Sequence, residues 1–357
     1  MKPLRILVVN TGSTSTKIAV YDDDRELFLE NIKHPNDLCE SYTTVIDQYS
    51  FRIEVIMSIL QREGVSLSGI DVVVGRGGLL KPIHGGVWRV TKRMLEDLHD
   101  TRTAQHASNL SGIIAYEIAS KTGIPAYIVD PVVVDEMDPV AKYSGIPQIT
   151  RRSIFHALNQ KATARRAAKE LGKAYEEVNL IVAHMGGGIT VGAHRKGRVI
   201  DGNNGLNGDG PFAPERAGSL PAGQLVELCF HGGMTEDEIG KLLKGKGGLV
   251  AYCGTSDARE VYEKGKGGDA HALEVLRAMA YQVGKEIGSM AAALEGKIDG
   301  IVLTGGLAHN SEFISWITGM IGFLGRVFVF PGEDEMTALR DGALRVCRGL
   351  DTAGEYS

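Results

Sequence analysis

Apolar positions fall into short runs along this chain, and three of the runs end in clusters of small residues. Leu-Ile-Val-Ala at 180–183 reads as a buried strand. His184 follows, then the turn Met185-Gly186-Gly187-Gly188, and then Ile189, Val191 and Ala193 alternate with Thr190, Gly192 and His194. A strand, a glycine turn and a second strand make a hairpin. The chain says nearly the same at its start. Ile6-Leu7-Val8-Val9 leads to polar Asn10, a turn of Thr11-Gly12-Ser13-Thr14-Ser15, and a second run, Lys17-Ile18-Ala19-Val20-Tyr21. Gly-Ile-Val-Leu-Thr-Gly-Gly-Leu at 300–307 is a third variant. A repeat of this kind about half a chain apart predicts two related halves. Glycines without a Cβ let a phosphate approach backbone N–H groups, although each turn also reads as a plain tight hairpin. Two such halves would clamp a nucleotide.

Elsewhere the spacing predicts a helix over 40–64, with Val45, Ile46, Tyr49, Ile53, Ile56, Ile59 and Leu60 on one stripe and Gly64 as its stop. Residues 70–74 and 126–129 are buried strands, followed by Gly75-Arg76-Gly77-Gly78 and by Asp130. A helix opens at His106-Ala107-Ser108-Asn109, where Ser108 or Asn109 reads as no more than a cap. Thr150 is the expected N-cap of a helix running to about 171 with Ile154, Leu158 and Ala162 buried. His156 would then sit about 200° from Ile154, off the core face and in the first two turns, where the helix dipole favours anions; a surface histidine is the alternative. Lys161, Arg165, Arg166, Lys169 and Lys173 read as that helix's solvated face, and Asp135, Glu136 and Asp138 as solvated acids. Residues 202–223 form a long irregular loop around Arg216, and loops of that length are more often functional than not. Helices are expected over 221–230, 235–243 (a Thr235 to Glu238 capping pattern), 271–294 and 336–348, with a late strand at 327–330.

A length of 357 residues predicts two domains. A net charge of −5 without a like-charge block argues against a nucleic-acid or membrane-surface binder. The cysteines, Cys39, Cys229, Cys253 and Cys347, form no CxxC pair, which fits a reducing compartment and neither a disulfide framework nor a zinc site. No apolar stretch reaches the roughly 18 residues of a membrane span, so a cytoplasmic protein is expected. Residues 240–247 approximate a P-loop but lack its Ser or Thr, and no GxGxxG, GxSxG or HExxH is present. Arg76, between glycines at a strand end, is exposed by construction and either pins a loop or meets an anion. Asp130 lies at a strand's carboxyl end, where open α/β sheets bind ligands.

Together these segments resemble the acetate and butyrate kinase family, on its butyrate kinase side, over essentially the whole chain. The resemblance rests on residues 10–17 (NTGSTSTK), 74–86 (VGRGGLLKPIHGG), 128–138 (IVDPVVVDEMD), 151–162 (RRSIFHALNQKA), 183–201 (AHMGGGITVGAHRKGRVID) and 331–336 (PGEDEM). It implies an α/β protein of two ribonuclease-H-like, actin-like ATPase domains with a nucleotide cleft between them. The domains would be 1–150 with about 340–357, and 151–339, the last helix crossing back onto the first. Position by position, Asn10, Gly12, Ser13, Ser15 and Lys17 would line a first phosphate loop. His184 with Gly186, Gly187 and Gly188 would form a second, and Gly305, Gly306 and Leu307 an adenosine loop. Arg76, His156 and Arg216 would surround the transferring phosphoryl group, with Asp130 close by. Asp130 and Glu335 would hold magnesium, directly or through water, and Arg76, His106, Leu80 and Ile83 would meet the substrate. The implied reaction takes ATP and a short fatty acid to ADP and an acyl phosphate, reversibly, in a homo-oligomer. An acetate or propionate kinase, a hydroxyl-directed kinase with Asp130 as base, a phosphohydrolase and a non-enzymatic actin-like nucleotide switch are the rival readings.

Overall fold

The structure is a computed structural model that describes residues 2–100 and 106–357. The chain divides into two compact units, Met1–Val134 with Asp334–Ser357, and Asp135–Glu333.

The first unit is built on a seven-stranded sheet. Strands β1 (Arg5–Gly12), β2 (Ser15–Asp22) and β3 (Arg25–Lys33) form an antiparallel meander. β4 (Val72–Gly75) and β6 (Ala126–Val129) continue from β1 in parallel, β5 (Val87–Arg89) runs antiparallel to β6, and the short strand Gly354–Glu355 closes the edge. Both faces of β1 are covered, which is why residues 6–9 read as an unbroken apolar run. Leu7, Val9, Ile18 and Val20 pack with Ile56 and Leu60 of the helix Tyr49–Arg62 and with Leu110 and Ile114 of the helix Ser108–Ser120. The helix Glu335–Cys347 packs against β1, β4 and β6.

The second unit repeats the plan. β7 (Asn179–Met185), β8 (Ile189–Arg195) and β9 (Arg198–Gly202) are antiparallel, and β10 (Gly300–Gly305) and β11 (Val327–Pro331) extend from β7 in parallel. The order β9-β8-β7-β10-β11 therefore matches β3-β2-β1-β4-β6. The two hairpins singled out by the apolar pattern are the first hairpins of these halves. Residues 300–307 behave differently. Gly305 exchanges backbone hydrogen bonds with Gly332 at 3.2 and 3.0 Å, so β10 passes into a 3-10 turn, Gly306–His309, and forms no hairpin. The helix Ala270–Ala293, capped by Asp269, buries Met279, Val283 and Ile287 against this sheet; Ala164, Ala167 and Ala168 of the helix Ala157–Glu170 pack with Val182 and Val302.

Three expectations need correcting. The helix expected over 40–64 starts at Tyr49, because Thr44 and Asp47 bond to each other's backbone and turn the chain first. The helix expected from Thr150 starts at Ala157. The Ile154 carbonyl accepts the Gly205 N–H at 2.8 Å and the Arg151 N–H goes to the Lys142 carbonyl at 3.0 Å, so these groups are not available to a helical turn. His156 is thus the residue before the first helical turn, not a residue on a helix face. Once the start is known, Ala157, Lys161, Ala164 and Ala168 share one face by their spacing. Lys161 is accordingly 2% exposed and Glu136 6%, neither of them solvated, and Lys161 Nζ meets both Glu136 carboxylate oxygens at 2.7 Å. Among the described residues no helix is long and apolar enough to cross a membrane.

Candidate active site

The second unit's site begins at the β7–β8 turn. The Gly186 N–H donates to the Gly188 carbonyl at 3.0 Å and closes it. A Cβ on Gly188 would overlap the Arg216 guanidinium, which lies against the turn, so any larger residue there would have to displace it. Gly305, at φ 93°, is required as glycine, since a Cβ there would overlap the Met185 backbone. Arg216 is half-buried and donates to the Gly205 carbonyl. Burial pulls its pKa below the ordinary arginine value, opposed by the neighbouring Glu215. Its loop is anchored by buried Asn203, whose amide oxygen accepts the Val191 N–H at 2.6 Å and whose amide nitrogen donates to the Ile189 carbonyl at 3.0 Å.

The imidazole centroids of His156 and His184 lie 4.3 Å apart with the rings tilted by 34°. His156 Nδ1 is 2.9 Å from the Thr190 hydroxyl, and His184 Nε2 is 3.0 Å from Glu333 Oε1. His184 Nδ1 is buried with no hydrogen-bond partner among the described residues. One point links these groups to Arg216: a Cβ built on Gly205 would lie 2.6 Å from Thr190 Cγ2 and 3.6 Å from Arg216 Nη1. A cavity of about 900 Å³ adjoins the turn, lined by Gly186, Gly187, Glu215, Gly306, Leu307 and Asn310 among others. That lies within the roughly 300–1,000 Å³ usual for ligand pockets. The sequence reading missed the cavity's further wall, Ser256 to Glu263, although Asp257 at the start of the helix Ala258–Lys266 carries an N-cap signature.

In the first unit, Glu335, near the end of the chain, meets two residues from its first quarter. It accepts from Asn10 Nδ2 at 2.6 Å and pairs with Arg76 Nη2 at 2.9 Å. Arg76 and Asp130 follow β4 and β6, at the carboxyl ends of neighbouring parallel strands. Asp130 holds φ 39° and exchanges bonds with Gly86: Oδ1 accepts its N–H at 2.6 Å, and the Asp130 N–H donates to its carbonyl at 3.0 Å. The β1–β2 turn carries Gly12, Ser13 and Ser15, with half-buried Lys17 opposite Asn10 in the ladder. Beneath it lies Arg52, fully buried and unforeseen. It donates to the Ser13 and Ser15 carbonyls at 2.8 and 2.7 Å and to Gln48 Oε1 at 2.7 Å. Exposed His106 precedes the helix Ser108–Ser120, its Nδ1 accepting from the Ser108 hydroxyl at 2.7 Å. Asn109 is not a cap; its side chain accepts the Leu79 N–H at 2.8 Å and donates to the Leu98 carbonyl at 3.2 Å, fixing the loop after Arg76. Leu80 is half-buried there, while Ile83 is a core residue packed with Val133.

A family model described as the acetokinase family matches residues 140–326, just over half the chain. The chain belongs to the acetokinase family. The acetokinase match contains the β7–β8 turn, His156, Arg216, Gly305 to Leu307 and most of the cavity wall. Among solved structures, an acetate kinase from Porphyromonas gingivalis superposes with a TM-score of 0.77 at 21% identity, covering 96% of this chain and 100% of that one. A propionate kinase from Francisella tularensis gives 0.74 at 21% identity over 95% and 98%, and an acetate kinase from Entamoeba histolytica 0.76 at 17% over 95% and 99%. At such identities the likeness speaks to the fold alone, an α/β fold built on two sheets that this chain shares with those structures.

Family membership implies magnesium, and the donor set can be tested for it. Among the described residues no three His, Cys, Asp or Glu side chains gather into a metal cage. Magnesium does not require one, since it usually takes one or two carboxylates and leaves its other positions to phosphate and water. Asp130 and Glu335 are buried hard-oxygen donors, and a carboxylate has about four acceptor positions. By donor type each suits the ion, although Glu335 already meets Asn10 and Arg76 and Asp130 Oδ1 already accepts the Gly86 N–H.

Proposed function

We propose that this protein transfers the γ-phosphoryl group of MgATP to the carboxylate of a short-chain fatty acid, butyrate or a branched four- to five-carbon analogue. The products are ADP and an acyl phosphate, and the reaction is reversible. The observation that carries this reading is in the second unit, where a half-buried arginine lies on a glycine turn near a pair of histidines in ring contact and a nucleotide-sized cavity. A carboxylate acceptor is ionised at neutral pH and needs no general base. The difficulty is bringing one anion to another, and preorganised donors aimed at the phosphoryl oxygens address it. Arg216 and His156 take that role. Gly186 to Gly188 cradle phosphates, and Gly305 to Leu307 border the adenosine. In the first unit Arg76 gives one N–H to Glu335 and keeps others in its planar fork for a carboxylate. Asn10, Gly12, Ser13, Ser15 and Lys17 supply the other phosphate loop, with His106, Leu80 and Ile83 on the acid's side. Asp130 and Glu335 would hold magnesium, which neutralises phosphate charge when bound.

The test is hydroxamate trapping with ATP, magnesium and acids from acetate to hexanoate. ADP formation that depends on the acid is expected; phosphate release without an acid, or a better hydroxyl acceptor, overturns the reading. Each buried methylene is worth about 0.8 kcal/mol, so butyrate should exceed acetate in kcat/KM by roughly ten- to twenty-fold. Leu80, close to Arg76 in sequence and half-buried, is one source of apolar surface. The solved structures named for acetate and propionate kinases favour the competing outcome, a smaller preferred acid. If acetate equals or beats butyrate, the longer-acid assignment fails and the carboxylate chemistry survives.

Asp130→Asn is expected to slow turnover and raise the magnesium needed for half-maximal rate. An unchanged magnesium titration in that variant would remove Asp130 from the metal site.

A further inference from the structure

Behind His156 runs a chain of hydrogen bonds whose direction can be worked out link by link. Gln160 sets the polarity. Its side-chain nitrogen lies 3.0 Å from the Thr190 backbone carbonyl, which can only accept, so the amide NH₂ faces Thr190. The amide oxygen therefore faces the other way, toward His194 Nε2 at 3.0 Å. An amide oxygen can only accept, so His194 carries its proton on Nε2. His194 is completely buried, and burial, then the positive charges of Lys161 and Arg165, hold its pKa well below the ordinary histidine value. It is neutral, its Nδ1 is an acceptor, and the Tyr175 hydroxyl donates to it at 2.7 Å.

The same logic runs forward from Gln160. Its NH₂ also donates to Thr190 Oγ1 at 2.9 Å. The His156 backbone N–H points at the same oxygen from 3.4 Å. With donors arriving there, the Thr190 hydroxyl hydrogen is the one left to give, and His156 Nδ1 lies 2.9 Å away. An imidazole that accepts at Nδ1 carries its hydrogen on Nε2.

The geometry points to Thr190 as the positioning residue that fixes His156 as the Nε2–H tautomer, with Gln160, His194 and Tyr175 fixing the direction in which Thr190 donates. The consequence for reactivity rests on the phosphoryl-transfer reading. His156 meets the phosphoryl oxygens as a preset donor through Nε2 and need not reorganise as charge develops. Thr190 acts only through His156. It is fully buried in β8, where valine has nearly the same shape and a higher strand preference, so Thr190→Val is a conservative probe.

The experiment has a spectroscopic and a kinetic arm. Nitrogen-15 histidine spectra of the whole protein, with His156 assigned by its loss in His156→Gln, should show a pyridine-type Nδ1 and a pyrrole-type Nε2. In Thr190→Val the Nε2–H population should fall. Its kcat should drop roughly ten-fold, about what one net hydrogen bond is worth, with KM for ATP and acid within about two-fold. Thr190→Ser, which keeps the hydroxyl, should restore both readouts. A wild-type His156 protonated on Nδ1 overturns the proposal, and that measurement needs no variant to fold. A Thr190→Val protein with the wild-type tautomer and kcat also overturns it. Absence of any acid-dependent activity would strike the phosphoryl-transfer reading alone, because the tautomer is read without turnover.

Discussion

Arg216→Ala is expected to cut acid-dependent turnover by about 100- to 1,000-fold, the usual loss of roughly 2.7–4 kcal/mol when a preorganised charge-stabilising donor is removed. Nucleotide affinity should change little. The guanidinium lies against Gly188 and donates to the Gly205 carbonyl, while the cavity wall is made by its neighbours Pro214 and Glu215. Its partial burial, which lowers its pKa, is the cost of holding a cation out of water before the reaction begins. That cost is recovered only where negative charge develops beside it. Arg216→Lys keeps a charge but loses the planar fork and should recover only part of the rate. Gly188→Ala should mimic Arg216→Ala from the other side, since its Cβ would displace the guanidinium. The measurements are kcat for the acid and a direct binding titration with ADP. Near-normal turnover in Arg216→Ala would take the arginine out of the chemistry.

The fold was legible wherever a local pattern and the tertiary environment agree. Residues 6–9 and 180–183 are apolar because both faces of β1 and β7 are covered, and the small residues after them are where each hairpin turns. The candidates for the site were legible as residues whose type is unusual for their place, such as Arg76 between glycines or Arg216 in a long loop. It was not legible where a distant backbone group overrides the local pattern. Nothing near Ile154 announces that its carbonyl will be taken by Gly205, yet that bond moves the helix start and sets where His156 points. Arg52, Lys161 and Glu136 were missed for a related reason. Charged residues read as solvated unless the partner is known, and Glu136 lies 25 residues from Lys161. A signal was nevertheless present. Arg52 sits three residues after Tyr49 and four before Ile56, on the buried stripe of its helix, and Lys161 sits four after Ala157.

Lys161→Met is accordingly expected to destabilise the second unit by about 3–5 kcal/mol, the cost of removing one partner from a buried ion pair. Methionine fills much of the lysine stem's volume, so a cavity contributes little and the loss falls on charge. Glu136 is 6% exposed; one of its carboxylate oxygens also accepts the Val199 N–H at 2.8 Å, and its backbone carbonyl accepts from Arg198 at 3.1 Å. It cannot turn to water without giving up a bond that ties it to β9. A loss of this size is a large part of the roughly 5–15 kcal/mol that holds a typical domain together. The two tryptophans divide between the units, Trp88 in the first and Trp316 in the second. In a Trp88→Phe background, Trp316 fluorescence through a urea titration therefore reports the second unit alone. The midpoint should fall sharply in Lys161→Met. Adding Glu136→Gln removes the stranded charge yet keeps an acceptor for the Val199 N–H, and most of the loss should return. If the double variant stays as unstable as the single, the lysine contributes through packing along the helix and not through its charge.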